Sequence, residues 1–111
     1  MLYEPTKFDA LIDEPWVPAR VEDAIAAIVA DADAAFDPTA LWPAHEWDAR
    51  EKPLPLSGLY LGAAGVIWAL DQLRRRGHAE SSLDLEAAVA RAVELERAAP
   101  DRGLYWPPTR M

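Results

Sequence analysis

Hydrophobic residues recur every three or four positions in the first third of the chain. The repeating positions are Val21, Ile25, Ile28, Ala32 and Phe36, with Val29 beside them. This spacing follows the 3.6-residue period of a helix with one apolar face. Pro18 suits a first helical turn, because its missing N–H would have no partner there, and Pro38 would stop the helix. The pattern predicts a helix from about residue 18 to residue 36.

A second apolar segment, SGLYLGAAGVIWAL, spans residues 57–70, carries no charge and contains three glycines. It leads into three arginines and Gly77. Basic residues in a last turn and a glycine just beyond it are typical of a helix end. The segment therefore predicts a helix over residues 59–76. Because each interior glycine lowers helix stability by about 0.5–1 kcal/mol relative to alanine, the glycines need a reason.

The spacing of Gly58, Gly62 and Gly65 does not match a phosphate-binding loop, which needs G-x-G-x-x-G after a strand or a terminal G-K-[ST]. A membrane span is disfavoured, because prolines interrupt the first third and about twelve remaining apolar residues cannot cross a ~30 Å hydrocarbon core. Close packing is the explanation that remains. Small residues would give the helix start a flat surface for another backbone, as on an inner helix surrounded by other helices.

A third helical pattern lies between Ser81 and Pro100. Its predicted inward positions are Leu85, Ala88, Val89, Ala92 and Leu95. Ser81 and Asp84 together resemble a capping box, which favours a helix over residues 82–98. No alternating strand pattern occurs, and alanine and leucine outnumber β-branched residues. The sequence predicts an all-α fold with three main helices.

The segments between and beyond these helices are rich in proline. Residues 37–57 contain four prolines and two tryptophans, Trp42 and Trp47, and predict a long connection with a helical turn near residues 44–50. Residues 1–17 predict an irregular N-terminal arm, and residues 99–111 an irregular tail. Residues 1–111 are too few for more than one domain, so we interpret them as a single domain or a fragment of one.

The net charge of −8 is concentrated in the first half of the chain. Residues 1–48 hold eleven acidic and two basic residues, whereas the remainder is close to neutral. Nucleic-acid binding is disfavoured, since it needs a basic face; solubility or a basic partner suits the acidic half better. The chain has no cysteine, and its N-terminus has no secretory signal pattern. We therefore expect a cytoplasmic protein.

No complete catalytic or metal-binding pattern occurs in the sequence. His45-Glu46 begins an H-E-x-x-H zinc motif, but Ala49 stands where the second histidine would be. Three aspartates, at positions 31, 33 and 37, lack the glycine and distal glutamate of a calcium loop and suit a solvated face. The run Arg74–Arg76 suits a helix end better than an anion site. We predict no catalytic, metal-binding or cofactor-binding residue.

The segment Leu59-Tyr60-Leu61-Gly62-Ala63-Ala64-Gly65-Val66 resembles a helix start of the lanthionine synthetase C-like (LanC-like) family, whose pattern is [S/G]LYxGxAG. The specific likeness covers about twenty residues of this chain, and the order of predicted helices extends it. The resemblance implies a partial α/α toroid, built from the N-terminal helices of an (α/α) barrel. It assigns Leu59, Tyr60, Gly62 and Gly65 to a structural motif.

The resemblance also carries expectations about function. Complete cyclases of the LanC-like family use zinc to activate a thiol that closes a thioether ring in a peptide. Their metal is held by cysteine and histidine of later helices, and this chain has no cysteine. We therefore expect an N-terminal segment without activity of its own, which self-associates or pairs with further helices. The alternative is a small helical module that binds a peptide or a carbohydrate through Trp42 and Trp47.

Overall fold

Three α-helices make up most of the computed structural model, which describes residues 4–7, 11–46 and 55–99. Helix α1 is Pro18–Ala35, α2 is Ala63–Arg75 and α3 is Leu85–Ala98. A short 3₁₀ turn at Pro5–Lys7 precedes them. No β-strand occurs within these ranges. The predicted all-α class is confirmed.

Helix α1 begins at Pro18 as predicted and ends one residue before the predicted limit. Its buried stripe differs from the prediction at one position. Ile28 is 67% exposed, whereas its neighbour Val29 is buried at 3% and joins the main core. Ile25, Ala32 and Phe36 are partly buried against the same core. The inward face therefore centres on Val29, because a helix of 3.6 residues per turn can present only one of two adjacent positions fully to its neighbour.

A tight turn follows α1. Asp37 and Leu41 exchange two backbone hydrogen bonds of 2.7 Å, and the Asp37 carboxylate accepts from the N–H groups of Thr39 and Ala40. Leu41 has a φ of 65° and is fully buried. Since a left-handed leucine is costly, its complete burial in the core is what holds it in this conformation. The turn gives the first part of the long connection a fixed structure.

Helix α2 begins four residues later than predicted. Residues 58–62 form a turn in which the Gly62 N–H donates to the Gly58 carbonyl, and the helix starts at Ala63. The N–H groups of Ala63 and Ala64 donate backwards to the carbonyls of Leu56 and Ser57. The preceding loop thus folds over the helix start. Its carbonyls accept hydrogen bonds from the amide groups that a bound phosphate would need.

Two glycines make this close approach sterically feasible. A Cβ on Gly62 would lie 2.6 Å from the Gly58 nitrogen and 2.6 Å from the Leu56 carbonyl carbon. A Cβ on Gly65 would overlap the Leu59 carbonyl oxygen. The sequence predicted that another backbone lies on these glycines. That backbone is the chain's own loop immediately before the helix, and not a neighbouring helix.

The end of α2 agrees with the sequence signal. Gly77 has a φ of 75°, its N–H donates to the Arg74 carbonyl, and the His78 N–H donates to the Leu73 carbonyl at 2.9 Å. These bonds form a Schellman motif, which satisfies the last carbonyls of the helix. Arg74 also donates from Nη1 to the carbonyls of Ser81 and Leu83, so it supports the following loop.

Helix α3 begins at Leu85 instead of residue 82, and the predicted capping box is wrong. Asp84 is the N-cap residue, and its side chain accepts from the Ala87 N–H at 3.0 Å. Ser81 lies outside the helix and donates from Oγ to the Asp33 carboxylate on α1 at 2.8 Å. Asp84 serves as the cap because its carboxylate reaches the N–H of the third helical residue directly. The Ser81 hydroxyl is therefore available to link the loop to α1.

Helices α2 and α3 pack side by side as an antiparallel hairpin. Before α2, Ser57 donates to Glu96 near the end of α3, while Arg74 near the end of α2 contacts the loop before α3. The core lies between the hairpin, α1 and the turn after α1. Its buried members are Val29, Leu41, Ala63, Ile67, Leu70, Leu85, Ala88, Ala92 and Leu95.

Some predicted segments lie outside the described residues. These are Trp47, most of the predicted helical turn near residues 44–50, and the tail beyond residue 99.

Candidate functional site

An open apolar groove runs along one side of the α2–α3 hairpin. Its volume is about 700 Å³. Its floor and walls are mainly Leu59, Ala64, Ile67, Trp68, Val89, Ala92 and Val93. The groove lies beside the core, because Ile67 and Ala92 contribute to both. It is the candidate functional site of this chain.

Large apolar side chains of this groove are exposed to solvent. Trp68 is 61% exposed, Val89 is 47% exposed and Val93 is 42% exposed. Val89 was predicted to face the core, and that prediction is wrong. Helical geometry explains the surface: Val89 and Val93 are four residues apart and form a ridge on α3, opposite Ala64 and Trp68, which are four apart on α2. Adjacent apolar side chains of this size usually mark a binding surface when solvent reaches them.

Charged groups lie at both ends of the groove. Asp71 and Glu86 stand at the end where α3 begins, and Glu96 stands at the end where α2 begins. Asp71 pairs with Arg75 at 2.8 Å, and the Glu96 carboxylate accepts the Ser57 hydroxyl at 2.6 Å. Among the described residues that line the groove, none is basic. The groove therefore combines an apolar centre with acidic ends.

The glycine motif forms one end of this groove. Gly58 and Leu59 line it directly, while Gly62 and Gly65 allow the loop carrying Leu59 to lie against α2. Leu59 and Tyr60 are each 69% exposed. Leu59 thus lines the groove and the two glycines position its loop, whereas Tyr60 is exposed outside the groove lining.

Trp42 is half-buried at the end of α1. Its indole Nε1 donates to the Ala32 carbonyl at 2.8 Å, and its ring lies 5.0 Å from that of Phe36. The structure brings Trp42 to α1 and not to the groove. Its partner in the sequence-based hypothesis, Trp47, lies outside the described residues, so a joint contact with a ligand stays a prediction.

A second apolar surface lies at the start of α1. Trp16 and Ile28 are exposed there beside a shallow cavity of about 610 Å³. Its charged lining residues are Glu14 and Arg20, one of each sign. This surface differs from the groove because its charges give no preference for a basic or an acidic partner.

The described residues contain no group of three histidine, cysteine, aspartate or glutamate side chains that could hold a metal ion. Asp33 bonds Ser81 and Asp37 caps the turn after α1, while Asp31 and His45 are exposed. The zinc of complete LanC-like enzymes therefore has no fitting ligand set in the described part of this chain.

Sequence reasoning missed Trp68 and Val93 as site residues. Both lie at helical spacing within predicted helices, so they are indistinguishable from core positions by pattern alone. The signal in the sequence was that the acidic residues Asp71 and Glu86 lie within two helical turns of Trp68 and Val93. Such a placement indicates an apolar helix face that is bordered by charge.

Comparison with protein-family models, with curated proteins and with solved structures finds no match to this chain. Within residues 4–7, 11–46 and 55–99, the helices are too short or too polar to cross a bilayer.

Proposed function

We propose that this chain is a helix-docking unit, the N-terminal part of a LanC-like α/α toroid, with no catalytic activity of its own. The observation that supports it best is the apolar groove of the α2–α3 hairpin. In an α/α toroid each hairpin is flanked by others, so a further helix would cover this groove. Zinc-dependent thioether formation in a peptide would belong to the later helices of such a protein. A cytoplasmic location accompanies the proposal.

The shape of the groove favours a helix as its occupant. Two parallel ridges, Trp68 on α2 and Val89 with Val93 on α3, border a shallow channel. Side-chain ridges of a third helix can enter such a channel in the usual manner of helix packing. Since apolar burial contributes about 25 cal/mol per Å², covering these side chains would supply a substantial driving force.

The glycine turn gives the proposal independent support. In the LanC-like pattern the glycines mark the start of an inner helix, and here Gly62 and Gly65 allow a loop to fold tightly over the start of α2. This arrangement keeps the helix start compact, so that neighbouring hairpins can approach it.

The alternative module, binding through Trp42 and Trp47, has less support. The polar atom of the Trp42 indole already donates to α1, and the ring packs on Phe36. A tryptophan that binds sugars or peptides usually keeps its N–H and one ring face for the ligand.

Binding of an apolar fluorescent dye tests the proposal. We expect the wild-type chain to bind the dye and the variant Val89→Lys/Val93→Lys to lose most of that binding. Ile28→Lys is the matched control, because Ile28 is also an exposed aliphatic residue of a helix but lies on α1. Unchanged dye binding in Val89→Lys/Val93→Lys, or a folded monomer that binds no dye, would contradict the proposal. Circular dichroism checks that each variant is folded.

A further inference from the structure

Helix α1 is attached to the rest of the molecule unevenly along its length. Its first eleven residues, 18–28, contain no buried side chain, although Ile25 is partly buried against the core. Val29, the next residue, is 3% exposed and belongs to the core. We infer that residues 18–28 form an opening segment, which unwinds locally while the core stays folded and which the contact between Glu22 and His78 holds closed. This inference goes beyond the docking function and does not depend on it.

The remainder of α1 is anchored by several contacts. Ala32 packs against the core, and its carbonyl accepts the Trp42 indole N–H at 2.8 Å. Asp33 accepts the Ser81 hydroxyl at 2.8 Å. Together with the burial of Val29, these contacts attach residues 29–35 to the hairpin and to the turn after α1. The boundary between the anchored part and the opening segment therefore lies near Val29.

The opening segment is joined to the hairpin by a weaker contact. Glu22 Oε1 lies 2.9 Å from His78 Nδ1, and the two side chains are 51% and 45% exposed. Beside this pair an open cleft of about 490 Å³ separates α1 from the loop after α2, with Asp23, Ala26 and Glu80 in its lining. Contacts between exposed polar side chains contribute little to stability, because water competes for both partners.

The helix itself supplies little further stability. Helices shorter than about 12–15 residues are marginal in water unless an apolar face is packed. In the opening segment, Val21 and Ile25 are half-buried, whereas Ile28 is 67% exposed. Local unwinding of these residues therefore breaks fewer packing contacts than unfolding of the hairpin does.

Amide hydrogen exchange measured by NMR tests the inference within one sample. Ala24 and Ala69 are a matched pair, because each is exposed and each is the seventh residue of its helix. We expect the protection factor of Ala24 to be about tenfold or more below that of Ala69. Ala34, an exposed alanine in the anchored part of α1, should be better protected than Ala24.

The variant His78→Ala tests the closing contact without changing the sequence of α1. We expect the protection factor of Ala24 to fall by a further two- to fivefold, about the size expected for an exposed pair. The protection factors of Ala34 and Ala69 should stay the same. Glu80→Ala is the matched control, because Glu80 is exposed in the same loop and lines the same cleft. It should leave the protection factor of Ala24 unchanged.

Four results would overturn the inference. Equal protection of Ala24 and Ala69 would show that α1 is as firmly packed as α2. No effect of His78→Ala on Ala24 would show that the contact does not hold the segment closed. Equal losses at Ala24, Ala34 and Ala69 would indicate global destabilisation instead of local opening. An equal effect of Glu80→Ala would assign the result to the charge of the loop. Dye binding to the groove is tested separately, so the docking function can fail or hold in each case.

Discussion

The two sides of the α2–α3 hairpin consist of the same kinds of residue but have opposite environments. On one side Leu70, Ala88 and Leu95 are buried in the core that also contains Val29 of α1 and Leu41 of the turn after it. On the other side Trp68 and Val93 face solvent. Both sets repeat at helical spacing. The difference shows that the presence of a covering element, and not the hydrophobicity of the face, decides which side is core.

Polar contacts hold α1 over the covered side. Glu22 on α1 lies 2.9 Å from the His78 ring, and Asp33 accepts the Ser81 hydroxyl at 2.8 Å. Val29 adds the buried contact. On the open side only acidic groups border the apolar centre among the described lining residues. This open apolar side is the basis of the proposed docking function.

The largest expected effect contrasts Leu70 with Trp68. Leu70→Ala removes a side chain that is 3% exposed and should lower the free energy of unfolding by about 2–5 kcal/mol. Trp68→Ala removes a larger side chain, but one that is 61% exposed, and should cost less than about 1 kcal/mol. Urea denaturation followed by circular dichroism measures both. A larger loss in Trp68→Ala would mean that the groove is already part of the core.

The second contrast concerns the glycine turn. Gly65→Ala should destabilise the chain by roughly 1–3 kcal/mol, because the new Cβ would overlap the Leu59 carbonyl oxygen. Ala69→Gly is the control: it lies in the same helix, is exposed, and should cost only the helix-propensity difference of about 1 kcal/mol. Urea denaturation applies again. Stabilisation by Gly65→Ala, as in an ordinary helix interior, would refute the close approach of the loop.

The smallest effect is expected where the loop after α2 meets α1. Ser81→Ala removes the hydrogen bond to Asp33 and should cost about 1 kcal/mol. Ser82→Ala, at an exposed neighbouring position, should change stability by less than about 0.5 kcal/mol. Thermal unfolding compares the two. Equal effects would show that the polar contact does not help to hold α1 over the hairpin.

The sequence predicted the three helices because their apolar periods are local and regular. It also predicted the end of α2, where Gly77 adopts the positive φ of the Schellman motif without the steric cost that a side chain would add. The starts of α2 and α3 were placed too early. Apolar residues continue through the glycine turn, and a serine can pair with α1 as readily as it caps a helix.

The candidate site was predictable only in part. The glycines at Gly62 and Gly65 indicated a close backbone, but spacing could not identify that backbone as the preceding loop. Val89 satisfied the inward pattern of α3 and yet faces solvent. Which of the two apolar faces of the hairpin is covered depends on where the hairpin packs against α1. That packing is a long-range contact, and local sequence patterns do not specify it.

Mapping the contact site by NMR tests the central claim most directly. The ¹⁵N-labelled chain would be titrated with an 18-residue amphipathic helical peptide that carries a leucine stripe, while its amide signals are followed. We predict that the largest shifts occur at Leu59, Trp68, Val89 and Val93, and that Trp16 and Ile28 change little. Shifts concentrated at Trp16 and Ile28, or no shifts at all, would contradict a docking groove on the α2–α3 hairpin.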